Sequence, residues 1–329
     1  MTTHEPEAVE RSPAPEHEPL AMGGQAVIEG VMMRGPTVWA VARRLPDETI
    51  VHLDGPVPTW AQSVRSIPVA RGAVALVETM ALGLRALRWS AAQEDEDGGE
   101  APSDRRLALT TAIVLLVFTA VFAVVPAAVA RAFTDLVDVS WLFGPAEAVL
   151  RLGLFVGYVL LIGRSPAVRR TFQYHGAEHM AISAYEHGAP LTTESLRRFS
   201  TRHARCGTDF LLLVVVVSVV VFSIVPSSSW PVLVATRVVG LPLVAGLAYE
   251  VLRLARVRPN NPVVHLLTAP GLALQALTTR PPDDDQLEVA AASLELVLSL
   301  EPDSPSPSPA PSEDEGATQE QTESGDETS

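Results

Sequence analysis

The sequence has no lysine; all 24 of its basic residues are arginine. A GC-rich coding sequence accounts for that choice, and no function follows from it. There is one cysteine, Cys206, which excludes an intramolecular disulfide framework. No long basic run is present, so nucleic acid is not an expected partner. Residues 1–20 are rich in Glu and Pro, without a basic segment leading into an apolar one, and no secretory signal is expected there. The middle of the chain is short of charge. Of the net −14 over 329 residues, −4 lies within residues 1–20 and −9 within 301–329, which leaves −1 for 21–300. Mean hydropathy is nevertheless +0.23. An apolar, nearly neutral middle between acidic ends excludes a uniformly soluble acidic protein and makes an integral membrane protein the first expectation.

Four stretches read as membrane spans. Leu107–Ala130 is 24 residues long and uncharged, bounded by Arg105, Arg106 and Arg131; a span needs about 20 apolar residues. Phe210–Val225 is a slightly short Val/Leu run. Trp141–Gly163 contains Glu147 and Arg151, and Trp230–Leu252 contains Arg237 and Glu250. Charges at such depth are costly, so these two helices should face the bundle interior or pair their charges. Glu147 and Arg151 have the i,i+4 spacing for pairing on one helix, and Glu250 has Arg253 or Arg237 as candidate partners. Pro262–Leu277, broken by Pro270 and Gly271, reads as an interfacial or re-entrant segment.

Arginines cluster before the first span, between the second and third, and after the fourth, whereas the opposite loops hold only Arg131. By the positive-inside rule both termini and the 164–209 loop are cytoplasmic, in a multi-pass protein of the bacterial inner membrane.

The expected fold is therefore mainly α: a polytopic bundle of about four transmembrane helices with a small N-terminal α+β portion. The divisions are a disordered acidic tail at 1–20, a cytoplasmic or interfacial α+β segment at 21–92 and an acidic linker at 93–104. Spans one and two occupy 105–163, a His/Cys loop 164–209 and spans three and four 210–258. An interfacial segment and amphipathic helix at 259–300 precede a second disordered tail at 301–329. Thr37–Leu45 and Thr49–Leu53 around Pro46-Asp47-Glu48 predict a hairpin. Val69–Trp89 predicts an amphipathic helix suited to a membrane surface. Gln286–Leu300 predicts a helix whose preceding acids, Asp283 to Asp285, complement its dipole.

Chemistry concentrates in the 164–209 loop. His175-Gly-Ala-Glu178-His179 places two imidazoles on one helical face, with Glu178 beside them. This is the H-x-x-E-H spacing of inverted zincins, in which two His bind zinc and the carboxylate is the general base. Two surface histidines with a solvated Glu178 are the plain alternative. His203-Ala-Arg-Cys206 adds two more zinc-type donors in the same loop. His175, His179, His203 and Cys206 would make a closed site, and loss of one would open a position for water; a buried Cys acting as a small hydrophobe is the alternative. Glu186 and Glu250 are candidate acidic ligands. In Gly23–Pro36, Glu29 could complete a metal site and Arg34 could hold an anion, although a strand-turn-strand piece packing on the membrane face explains the residue pattern better.

The segments GGQAVIEGVMMRGP (23–36), ARGAVALVETMALG (70–83), YHGAEHMAISAYEHG (174–188), HARCGT (203–208), GLAYEVLR (246–253) and LQALTTRPPDDDQLEVA (274–290) resemble, in order, the YqhQ-like bacterial membrane proteins. The resemblance implies an integral membrane protein with several spans and a metal site; that family is often labelled a predicted metal-dependent enzyme. Met180 departs from it, standing where such proteins commonly carry a basic residue. Three functions are carried forward. One is a zinc-dependent hydrolase with Glu178 as its catalytic base. A second is a scaffold with a structural zinc, bound to the lipid bilayer and to another membrane protein. The third is a transporter using Glu147, Arg151, Arg237 and Glu250, for which repeat halves and broken helix pairs are lacking.

Overall fold

The computed structural model describes residues 19–58, 64, 66–93, 104–203, 206–224, 229–257 and 261–302. Both expected acidic tails, apart from 19–20 and 301–302, and the expected linker, apart from 93 and 104, lie outside the described residues.

Four strands form an antiparallel meander: β1 (Gly23–Val27), β2 (Gly30–Arg34), β3 (Val38–Arg44) and β4 (Ile50–Pro56). The β1–β2 turn is Ile28-Glu29, with Glu29 left-handed at φ 51°. The β3–β4 turn closes through Leu45 N–H on Thr49 O at 2.8 Å. Asp47 stabilises it by accepting from the Thr49 N–H and hydroxyl at 3.1 and 2.6 Å, a local bond that gives Asp its turn preference. The β3–β4 hairpin follows the sequence expectation, and the β1–β2 pair has the strand-turn-strand form weighed for Gly23–Pro36.

The helices are α1 (Ala70–Ala92), α2 (Asp104–Thr119), α3 (Val125–Val137), α4 (Phe143–Ile162), α5 (Pro166–Glu186), α6 (Thr193–Leu196), α7 (Gly207–Ile224), α8 (Trp230–Val257), α9 (Pro262–Thr278) and α10 (Asp284–Leu300). Alternation along the strands loads both faces of the sheet. Val31, Met33, Ala40 and Ala42 pack on α5 and α10. Met32, Trp39 and Val41 pack on Leu82 and Ala86 of α1. The result is a helix–sheet–helix body with two apolar cores. Asp283 and Gln286 form a reciprocal capping box at the start of α10, the arrangement that satisfies two orphan N–H groups at once.

Among the described residues, three helical stretches are long and apolar enough to cross a membrane: Ala108–Val137, Phe143–Ile162 and Trp230–Leu254. The first is 30 residues, longer than the expected 24. It continues through a π-helical segment, Ala120–Val124, placed just before Pro126, which has no N–H to give. The third expected span, Phe210–Val225, falls in α7, whose described apolar part, Asp209–Phe222, is shorter than membrane length. Pro262–Leu277 is not broken: α9 runs through Pro270 and packs along α7 and α8. A proline inside a helix removes one N–H but need not end it where neighbouring helices hold both sides.

Two expected charge pairings differ in extent or partner. Glu147 does meet Arg151 on α4, and it also binds Arg237 of α8 through Nε at 2.9 Å and Nη2 at 2.7 Å. Among the described residues Glu250 is hydrogen-bonded to neither Arg253 nor Arg237, although the Arg253 charge lies near enough to act on it. Its carboxylate takes Arg71 of α1 through Nε at 2.6 Å and through Nη2, and accepts from the Val69 N–H at 3.1 Å. Sequence spacing shows only partners one turn away, whereas this one comes from a helix some 180 residues distant, which ties α1 to α8 as well as to the sheet.

Candidate metal centre

Helix α5 begins where α4 ends, with Pro166 in its first turn, a position that needs no N–H. Its first half anchors to the β1–β2 turn. Arg170 pairs with Glu29, and the Tyr174 hydroxyl donates to the other Glu29 oxygen at 3.2 Å. This pairing raises the Arg170 guanidinium further above its usual range, and burial raises the Tyr174 phenol. Glu29 is thus committed to holding α5.

The next turns carry the histidines. His175 Nδ1 lies 2.9 Å from Thr278 O, and His179 Nδ1 lies 2.6 Å from Thr201 O. A carbonyl only accepts, so both Nδ1 atoms carry protons and both Nε2 lone pairs are free to ligate. The His175 Nε2 is 3.2 Å from Cys206 Sγ. His179 Nε2 is buried with no hydrogen-bond partner among the described residues. Ligand atoms of His175, His179 and Cys206 all lie within 4.8 Å of one another. Tetrahedral zinc, with bonds of about 2.0–2.3 Å, places its ligand atoms roughly 3.3–3.8 Å apart, so a small contraction suffices. The donor set and its orientation fit zinc. Carbonyls on the far ring nitrogens are the usual outer support of such histidines.

Electrostatics agree with neutral imidazoles at His175 and His179. Burial pushes the His179 imidazole down to about 3, helped by neighbouring His175 and His203, and burial also lowers His175. Cys206 is buried immediately before α7, where the helix dipole favours a thiolate. Glu178 is buried outside the three-donor cluster, against β1 at Gly24: a Cβ on Gly24 would come within 3.0 Å of its carboxyl carbon. One Glu178 oxygen has no partner among the described residues, and burial pushes the group up to about 8.

The other candidates lie elsewhere. His203 binds Glu186 through Nε2 at 3.1 Å, and its ring centroid is 5.8 Å from that of His179; neither residue belongs to the three-donor cluster. Arg34 is 4.0 Å from Glu78 of α1. Glu250 is held by Arg71. Sequence reasoning missed Gln275, the clamp on the cysteine loop. Its amide accepts from His203 N–H and donates to His203 O, both at 2.9 Å, and donates to Asp209 at 2.8 Å. The available signal was a glutamine inside an apolar run, because a buried amide must find partners.

Gly176 explains the second letter of the motif. Here α5 touches the chain after α9: Arg280 N–H donates to Phe172 O at 2.9 Å, and a Cβ on Gly176 would stand 2.2 Å from Arg280 O. The same segment supplies Thr278 O to His175. Gly176→Ala is expected to cost about 1–3 kcal/mol by overpacking against Arg280 O. Thermal unfolding of the variant checks this.

Apolar helices of membrane length joined to a sheet-and-helix body, with a largely buried histidine–cysteine cluster between the middle of α5 and the start of α7, define the architecture. Residues 67–300 match the family described as "Protein of unknown function (DUF1385)", and the chain belongs to that family. It is 34% identical over 290 residues to the "Uncharacterized protein YqhQ" of Bacillus subtilis (strain 168), across 84% of this chain and 91% of that protein. No solved structure matches.

Proposed function

We propose that the chain is a multi-pass membrane protein with a zinc centre on His175, His179 and Cys206, acting as a metal-dependent hydrolase at the membrane face. α7 completes a four-helix crossing, and the arginine distribution puts both termini and the zinc centre on the cytoplasmic side. The observation that carries the reading is the buried, unpartnered Nε2 of His179, held by Thr201 O towards the other two donors. Bound zinc would supply Lewis-acid activation of water. Three protein ligands leave a fourth position open, as in catalytic zinc sites, and His203 is engaged with Glu186 instead of filling it. Glu178, next to His179 in sequence and with one oxygen unpartnered among the described residues, would be the group to take and return a proton. A second reading, a structural zinc in a scaffold for another membrane protein, is favoured by the burial of His179 and Cys206 and by the thiolate ligand.

Metal analysis of detergent-purified protein tests the centre. Wild type and Glu178→Gln should each hold about one zinc per chain, and His179→Ala and Cys206→Ala should hold almost none. Metal-free wild type would overturn the proposal. Hydrolysis lost in Glu178→Gln with zinc retained selects the enzyme; unchanged behaviour of that variant selects the scaffold.

A further inference from the structure

Several surface arginines of the sheet-and-helix body are matched by acids. Arg44 meets Glu48 and Glu288, Arg170 meets Glu29, Arg197 meets Asp284 and Arg198 meets Glu194. Three arginines where α4 passes into α5 are not. Arg164, Arg169 and Arg280 are exposed, and none has an ion-pair partner among the described residues. The backbone gathers them around one ring. A Cβ on Gly163 would stand 3.5 Å from the Phe172 ring. The Arg280 N–H donates to Phe172 O at 2.9 Å. Arg169 lies one turn before Phe172 on the same face of α5, and its N–H donates to Ser165 O at 2.9 Å, which keeps it in the turn that follows Arg164. The first turn of α5 carries no acid, although a helix N-terminus favours one and disfavours Arg169. A local rule broken with no compensating contact inside the chain points to a partner outside it.

The same junction borders the apolar surface of the bundle. α4 is of membrane length, and Leu160 and Leu161 near its end are 46% and 64% exposed. Arg164 Nη1 reaches back to donate to Leu160 O at 3.2 Å, so its guanidinium stands beside those leucines. Leu274 and Leu277 of α9 pack with Val159 of α4, which places Arg280, three residues past Leu277, at the same end of the bundle. Guanidinium groups just beyond exposed leucines match the two layers of a lipid, phosphate outside and acyl chain inside. We infer that the α4–α5 junction binds anionic phospholipid headgroups, with Arg164, Arg169 and Arg280 as the cationic contacts and Leu160 and Leu161 against the acyl chains. A lipid fits better than a free anion because the charge is continuous with an exposed apolar helix face. The inference rests on the membrane-spanning reading of α4 and is independent of the zinc centre.

The test uses the intact protein, delipidated in maltoside micelles and titrated with phosphatidylglycerol or phosphatidylcholine, with bound lipid counted by native mass spectrometry. Wild type should prefer phosphatidylglycerol. The combined replacement R164Q, R169Q and R280Q should weaken its binding roughly 100-fold, about fivefold for each arginine. The combined replacement R164K, R169K and R280K should keep most of it, since an ammonium also holds phosphate as a point charge. All three side chains are exposed, so these variants should fold, which thermal unfolding checks. R197Q with R198Q, at arginines already paired, should bind as wild type does. Equal binding of the two lipids by wild type, unchanged phosphatidylglycerol binding in the glutamine variant, or full competition by equimolar inorganic phosphate would overturn the inference. Release of wild type from membranes by alkaline carbonate would overturn the membrane reading itself, whereas equal lipid binding by protein that resists carbonate overturns this inference alone.

Discussion

Glu147→Ala is expected to destabilise the helix bundle by about 3–5 kcal/mol, because it leaves charge buried without its partner. The carboxylate is the shared counter-ion of Arg151 and Arg237, and both guanidiniums are almost wholly enclosed. The effect should exceed that of removing either arginine, since one remaining arginine still neutralises Glu147. Thermal unfolding in micelles, followed by tryptophan fluorescence, reads the difference. The combined replacement E147L, R151M and R237M should regain most of the lost stability, as apolar groups of similar volume often match a buried ion cluster.

The metal-free protein should lose stability as pH rises, and Glu178 should be the cause. Its folded value, about 8, is raised by burial above the ordinary 4.5. The folded state therefore keeps a proton that the unfolded state releases between these values, and stability falls with pH across that window. The full effect is on the order of 5 kcal/mol, of which about 2 kcal/mol falls between pH 6.5 and 8. His179 acts with the opposite sign lower down. Its folded value is depressed to about 3 from 6.5, so its contribution is present above 6.5 and fades as pH falls. The two slopes oppose each other between 4.5 and 6.5, and Glu178 acts alone above. Denaturant titration of chelator-treated Glu178→Gln should show the decline above pH 6.5 abolished; an unchanged decline would place its origin elsewhere.

What could be read in advance depended on how local the physics is. The β3–β4 hairpin was legible because Asp47 and Thr49 make their turn bonds within three residues. The start of α10 was legible because its cap is formed by Asp283 and Gln286. Glu147 with Arg151 was legible as an i,i+4 pair, whereas Arg237 and Ser218 reach the same network from other helices. The continuity of α9 through Pro270 was not, since a proline inside a helix depends on what packs around it.

The candidate metal centre divides in the same way. The sequence alone determined that His175 and His179 share a helical face with Glu178 between them, and that apolar stretches dominate the chain from Leu107 to Leu277. Helical periodicity and hydrophobic length need no knowledge of the fold. Only the tertiary structure decided that Cys206 joins the two histidines while His203 turns to Glu186, and that Glu250 serves α1. Those choices turn on carbonyls and side chains from segments tens to hundreds of residues away, chiefly Thr201, Gln275, Thr278 and Arg71. Directional bonds between distant segments have no period in the sequence; they exist once packing brings the partners within about 3 Å.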